Sequence, residues 1–186
     1  MVKNIKSAMI RGLNSMSVCV ESDVSNGLPM FELVGFVSSE VKEAKERVRS
    51  ALMSFDLSLP VKRITVNLSP ATERKSGTSF DLAIALSILL SSGDIKECGE
   101  EFFVLGELSL DGRVLPIKGV LPMIECGKEG GIKNFIVPEG NEEEALFASG
   151  EGIMIYPVKT LIEAIDVIEG KKNRWGADFK EKGRTL

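Results

Sequence analysis

Apolar positions recur along this chain with two different periods, and the changes of period divide it into strands and helices. Met16, Val18, Val20 and Ser22 alternate with Ser17, Cys19 and Glu21, which predicts a half-buried strand over residues 16–24. A shorter strand over 7–10 precedes it, joined near Gly12-Leu13-Asn14. Asn26-Gly27 then signals a hairpin into a third strand over 29–36, so an antiparallel sheet is expected to open the domain. The period changes at Ser38. Val41, Ala44, Val48, Ala51, Leu52 and Phe55 follow at three- and four-residue spacing, predicting one helix with a serine available as N-cap. Its other face carries Lys42, Glu43, Lys45, Glu46, Arg47 and Arg49, the pattern of a solvated face with i,i+4 pairs. Alternation returns over 62–68 as a fourth strand.

After a polar loop over 69–78, residues 79–90 are apolar on nearly all faces, which predicts the central buried helix. Thr78 and Asp81 at its start have the spacing of a capping box. The run over 104–128 reads as strand, two-residue turn at Asp111-Gly112, strand over 114–117, a break at Gly119 and a helix with Pro122 in its first turn. A buried strand over 134–137, a short helix over 142–149, a strand over 152–156 and an amphipathic helix over 160–168 complete the pattern. Leu161, Ala164, Ile165 and Ile168 form the inner stripe of that last helix, and Gly170 ends it. The remaining tail, with Trp175 amid charges, reads as a linker or the start of another segment.

The 186 residues, 44% hydrophobic and 27% charged, suit one soluble domain with an appendage. The first ten residues are interrupted by Lys3, Asn4, Lys6 and Ser7, unlike a secretory leader. The longest apolar run, 82–90, falls well short of the roughly 20 residues that a membrane helix requires. A cytoplasmic chain is expected. Cys19, Cys98 and Cys126 are scattered and odd in number, which predicts buried or inert thiols and neither a disulfide framework nor a metal site. The absence of histidine excludes Ser-His-Asp and Cys-His nucleophile systems, histidine-containing zinc sites and imidazole acid–base chemistry. Net charge is -4, with a tail over 171–186 at +4 and a body at -8. Bulk charge therefore makes the body a poor nucleic-acid binder. Arg74, Lys75, Gly77 and Thr78 precede a helix N-terminus and form a candidate anion-binding site for phosphate or nucleotide, with Glu73 opposing them.

Four segments carry a family resemblance: Asn67-Leu68-Ser69-Pro70-Ala71, Phe80-Asp81-Leu82 with Ala85-Leu86, the run from Gly106 through Gly112, and Leu115-Pro116-Ile117. Together they resemble the N-terminal domain of the ComM/YifB family of Mg-chelatase-like AAA+ proteins, over about residues 1–170. That domain is similar in turn to the proteolytic domain of Lon proteases and to the Lon-like domain of RadA. The resemblance implies an α/β (α+β two-layer) fold of the ribosomal-protein and GHMP-kinase type, Lon proteolytic-domain-like. It also implies a left-handed βαβ crossover, where the general rule favours a right-handed one. Residues 1–170 would form the Lon-like (ChlI-type) domain, and 171–186 a basic tail or linker toward an AAA+ module.

Lon-like peptidases use a serine at the start of the buried helix and a lysine early in the helix after the Leu-Pro-Ile strand. Carried over by that resemblance, the serine falls on Ser79, where Gly77-Thr78-Ser79-Phe80-Asp81 departs from Gly-Pro-Ser-Ala-Gly, and the lysine falls on Met123. A thioether cannot take a proton at neutral pH, so the dyad is degenerate. Lys118 and Lys128 lie five residues to either side of Met123, a rotation of roughly 140° on a helix, and Lys75 sits four residues before Ser79 in a loop that can approach it. The expected function is a non-catalytic accessory and assembly domain of an AAA+ ATPase linked to DNA processing, by branch migration in natural transformation. No Gly-x-x-x-x-Gly-Lys-Ser/Thr is present, so no cofactor is expected on this chain, and ATP and Mg would belong to the AAA+ module. Expected partners are that module, further copies in a hexamer, and DNA through the full-length protein, with no membrane. The alternatives are a Ser-Lys-type peptidase with a displaced lysine and a phosphate- or nucleotide-binding domain.

Overall fold

A computed structural model describes residues 1–171. Most of the expected basic linker, including Trp175, lies outside the described residues. Strands β1 (Lys3–Arg11) and β2 (Asn14–Ser25) form the predicted hairpin, with Arg11 opposite Asn14. β3 (Met30–Val34) does not continue it. It pairs in parallel with β4 (Arg63–Ser69), and β4 pairs antiparallel with β2. The Asn26-Gly27 signal marks a local reversal, while burial decides the pairing. β4 sends Ile64, Val66 and Leu68 into the core, whereas β3 buries only Leu33. The more apolar strand takes the inner position and β3 becomes the edge.

The remaining strands are β5 (Phe102–Val104), the short pair β6 (Glu107–Leu108) and β7 (Val114–Leu115), β8 (Asn134–Pro138) and β9 (Met154–Val158). The main sheet runs β3-β4-β2-β1-β5-β8-β9 and is mostly parallel, with β6 and β7 a separate antiparallel pair. Its helices are α1 (Ser39–Lys42), α2 (Ala44–Met53), α3 (Asp81–Ser92), α4 (Val120–Glu129), α5 (Glu142–Phe147) and α6 (Leu161–Ile168). This is a mixed α/β architecture. The helix predicted from Ser38 onward is divided at Glu43, with Ser38 capping its first turn by accepting from the Val41 N–H at 3.3 Å.

Alternation along β1, β5 and β8 separates two cores. Ile5, Met9, Phe102, Val104 and Ile136 face one, which α2, α3 and α6 share, while Ala8, Phe103, Phe135 and Val137 face the other, under α4 and α5. These strands are thus covered on both faces, a third layer beyond the two expected. α3 is the central helix, with every residue from Asp81 to Ser91 buried. The β6–β7 loop is longer than the predicted two-residue turn, because Ser109 and Arg113 bond across Leu110-Asp111-Gly112 at 3.0 Å. Gly112 lies there at φ +83°, and a Cβ on it would meet the Phe55 ring at 2.3 Å. All three thiols are free; Cys98 is exposed and Cys19 and Cys126 are half-buried.

Candidate functional site

The loop from β4 into α3 delivers the candidate residues, and its backbone is tied down at both ends. The Lys75 N–H donates to the Phe36 carbonyl and the Ser38 N–H to the Lys75 carbonyl, both at 2.9 Å. At the helix end, the Gly106 N–H donates to the Ser79 carbonyl and the Leu82 N–H to the Gly106 carbonyl, both at 3.1 Å. The stretch before β6 therefore splints the first turn of α3.

The expected capping box between Thr78 and Asp81 is absent, and Phe80, at the N-cap of α3, supplies no side-chain cap. Both side chains are taken by tertiary partners. Thr78 Oγ1 donates to Glu107 Oε2 at 2.5 Å. Asp81, 1% exposed, accepts from Arg47 Nε at 2.6 Å, from Arg47 Nη2 at 3.0 Å and from the Leu108 N–H at 3.1 Å. Burial pushes the Asp81 carboxyl above the ordinary carboxylate range, against the pull of Arg47 and the Leu108 amide, and the bond to Asp81 in turn raises Arg47. Arg47 thus leaves the solvated face predicted for it. Asp81, the one charged residue in the apolar run 79–90, was the available signal for this pair.

Ser79 and Met123 line one cleft of about 550 Å³, together with Met9, Ile117 and Lys118. The cleft brings together the two positions that the Lon resemblance pairs. Ser79, 5% exposed, donates its hydroxyl to the Ala8 carbonyl at 2.7 Å. Met123 is 3% exposed and belongs to the buried face of α4, with Val120, Ile124 and Gly127. The only lysine in α4, Lys128, donates to Glu125 and to the Ala148 carbonyl. Lys118 needs a correction. It precedes the Gly119 cap and is not helical, so a helical rotation does not turn it away, and it reaches the cleft.

Of the four candidate anion-binding residues, Gly77 and Thr78 line the same cleft as Ser79, and Lys75 and Arg74 do not. Lys75, buried completely, donates to the carbonyls of Gly35 at 2.6 Å, Glu73 at 2.7 Å and Pro70. It is thus turned away from Ser79 as well. Gly77 N–H donates to Glu40 Oε2 at 2.9 Å, Thr78 is held by Glu107, and Arg74 is exposed. Two carboxylates therefore occupy the donors that an anion would need. Glu40 and Glu107 were not foreseen, because they come from α1 and β6 and meet the loop only in the folded chain.

Residues 20–141 match the family model described as subunit ChlI of Mg-chelatase. The chain belongs to that Mg-chelatase-like AAA+ family. Relatives include the competence protein ComM of Haemophilus influenzae, 37% identical over 162 residues that make up 87% of this chain and 31% of the relative. An uncharacterized protein of Mycobacterium tuberculosis is 40% identical over 156 residues, 83% of this chain and 31% of the relative. An archaeal Lon protease of Methanocaldococcus jannaschii is 37% identical over 123 residues, 66% of this chain and 18% of the protease. The chain thus spans less than a third of the length of these members of, and neighbours to, the Mg-chelatase-like family. Among the described residues, no helix is long and apolar enough to cross a membrane.

Proposed function

We propose that this chain is a non-catalytic, Lon-like accessory and assembly domain of a ComM/YifB-type AAA+ ATPase, over residues 1–170, followed by a basic linker toward the motor. The observation that carries the reading is the pairing within the cleft. Ser79 donates its hydroxyl hydrogen bond to the Ala8 carbonyl, which is no base, and the buried face of α4 offers it a thioether in place of an amine. A serine hydroxyl becomes a nucleophile only when a nearby base can take its proton. In this reading ATP and Mg serve the motor, since this chain lacks the glycine-lysine phosphate cradle, and hexamer formation and DNA branch migration belong to the whole protein.

Incubation of the chain with unfolded casein tests it. No cleavage is expected. Cleavage abolished by Ser79→Ala would overturn the proposal in favour of a peptidase with a displaced lysine. Lys118 in the Ser79 cleft is the observation favouring that second reading, so Lys118→Ala in the same assay identifies the base. The nucleotide-binding alternative has less support, because carboxylates and carbonyls already occupy Gly77, Thr78 and Lys75. Calorimetric titration with ATP is expected to give no binding heat.

A further inference from the structure

Lys75 is among the largest fully buried side chains of the described residues, and it has no place in the reading above. Among the described residues no carboxylate bonds its ammonium; three backbone carbonyls do, one from the end of β3 and two from its own β4–α3 loop. Gly35 lies where the edge strand β3 leaves the sheet, Pro70 follows the end of β4, and Glu73 is in the loop toward α3. An ammonium has three N–H donors and no acceptor, so the three carbonyls satisfy it completely. The cage is built with little freedom. Gly35 has φ +104°, and a Cβ on it would lie 2.1 Å from the Leu68 carbonyl oxygen, so only glycine lets this carbonyl turn toward Lys75.

We infer that these carbonyls form a monovalent-cation site, filled in this chain by a tethered ammonium, and that its occupation latches the loop before Ser79 onto the β3–α1 connection. Oxygen atoms converging on one point suit a compact cation that sheds its water, and they repel one another when the point is empty. The backbone bonds on either side, Lys75 N–H to Phe36 and Ser38 N–H to Lys75, hold only while that point is filled. The ligand class is therefore a primary ammonium or a bare ion of similar size, such as potassium. The inference is independent of whether the Ser79 cleft has peptidase activity, because its readout requires no turnover.

The test is hydrogen exchange on the whole chain, read at the amides of residues 75 and 38. Lys75→Met keeps the length of the side chain and removes the donors. It is expected to speed exchange at both amides by about tenfold or more, since buried carbonyls are then left unpaired. Lys75→Ala leaves room for a free ligand, and n-propylammonium chloride is expected to restore slow exchange or raise the melting temperature by several degrees. Tetramethylammonium chloride at equal ionic strength, which has no N–H donor and is too bulky, is expected to do neither. Exchange in Lys75→Met at the rate of the unsubstituted chain would overturn the inference. Should Lys75→Met fail to fold, the Lys75→Ala comparison decides alone: equal responses to the two salts, or no response to either, would overturn it.

Discussion

Asp81 shows how one side chain can hold three elements in place. From the first turn of α3 it bonds Arg47 on α2 and the Leu108 amide on β6, so β6 and both helices depend on a single carboxylate. Removing one member of a buried pair leaves the other charge without compensation, which costs more than the pair contributes. Asp81→Ala is expected to destabilise the fold by about 3 kcal/mol or more. Chemical denaturation should also show that Arg47→Met added to Asp81→Ala costs less than the sum of the single changes. The pH dependence has a definite sign. Burial raises the Asp81 carboxyl, so the folded chain holds that proton more tightly than the unfolded one. Its contribution is complete below the unfolded value and is lost as pH rises through the folded value. Unfolding measured across that acidic window should show stability falling with rising pH, and Asp81→Asn should remove this component of the slope. Gly127 is a second pressure point, because a Cβ there would lie 2.6 Å from the Phe135 ring and 2.9 Å from Phe103. Although alanine favours helix, Gly127→Ala is expected to lower stability by roughly 1–3 kcal/mol through overpacking, readable as a lower denaturation midpoint.

Among the elements, β3 carries the most exposed risk. It is an edge strand, with Met30 and Val34 exposed and Phe36 just beyond it, and unpaired edges recruit other chains. Lys45 on α2 counters this by donating to the Phe31 carbonyl at 3.2 Å, and Glu32 pairs with Arg63 across to β4 at 3.6 Å. Lys45→Thr should leave thermal stability within about 0.5 kcal/mol, as for an ordinary surface change. It should nevertheless raise the rate of aggregation seen by light scattering, and an unchanged rate would assign edge protection elsewhere. The same region marks where sequence patterns stop being informative. Period and caps foretold β1, β2, β4, α3, α4 and α6, because each has its own apolar rhythm and local punctuation. They did not foretell that β3 pairs with β4, since Asn26-Gly27 encodes a turn and says nothing of which strand arrives next to β2. The candidate site divides likewise. Ser79 and Met123 were legible through a family resemblance and do share a cleft, whereas Gly35, Glu40 and Glu107, which hold one donor of Lys75, Gly77 and Thr78, lie 29 to 40 positions away from them.

At the scale of the whole molecule, charge and fold point to a division of labour. The body of the chain is acidic, and even in the loop before α3 the Gly77 amide and the Thr78 hydroxyl are covered by Glu40 and Glu107. Such a surface suits docking onto other protein better than gripping a phosphate backbone, whose binding grows with the number of phosphates that cations neutralise. If the parent protein works on DNA, as proposed, the contacts must come from the AAA+ module or from the basic residues after Gly170. A chain ending at Gly170 is accordingly expected to give no mobility shift with duplex DNA at physiological salt. The full 186 residues, which add Lys171, Lys172, Arg174, Lys180, Lys182 and Arg184, should bind weakly at low salt only. Six cations set an upper bound of roughly five for the slope of log affinity against log salt, and Asp178 and Glu181 lower it. A shift by the shortened chain that survives physiological salt would place a DNA-binding surface on the acidic body itself. Local geometry would then have prevailed over net charge, and the domain would act on DNA directly rather than through the motor it is proposed to serve.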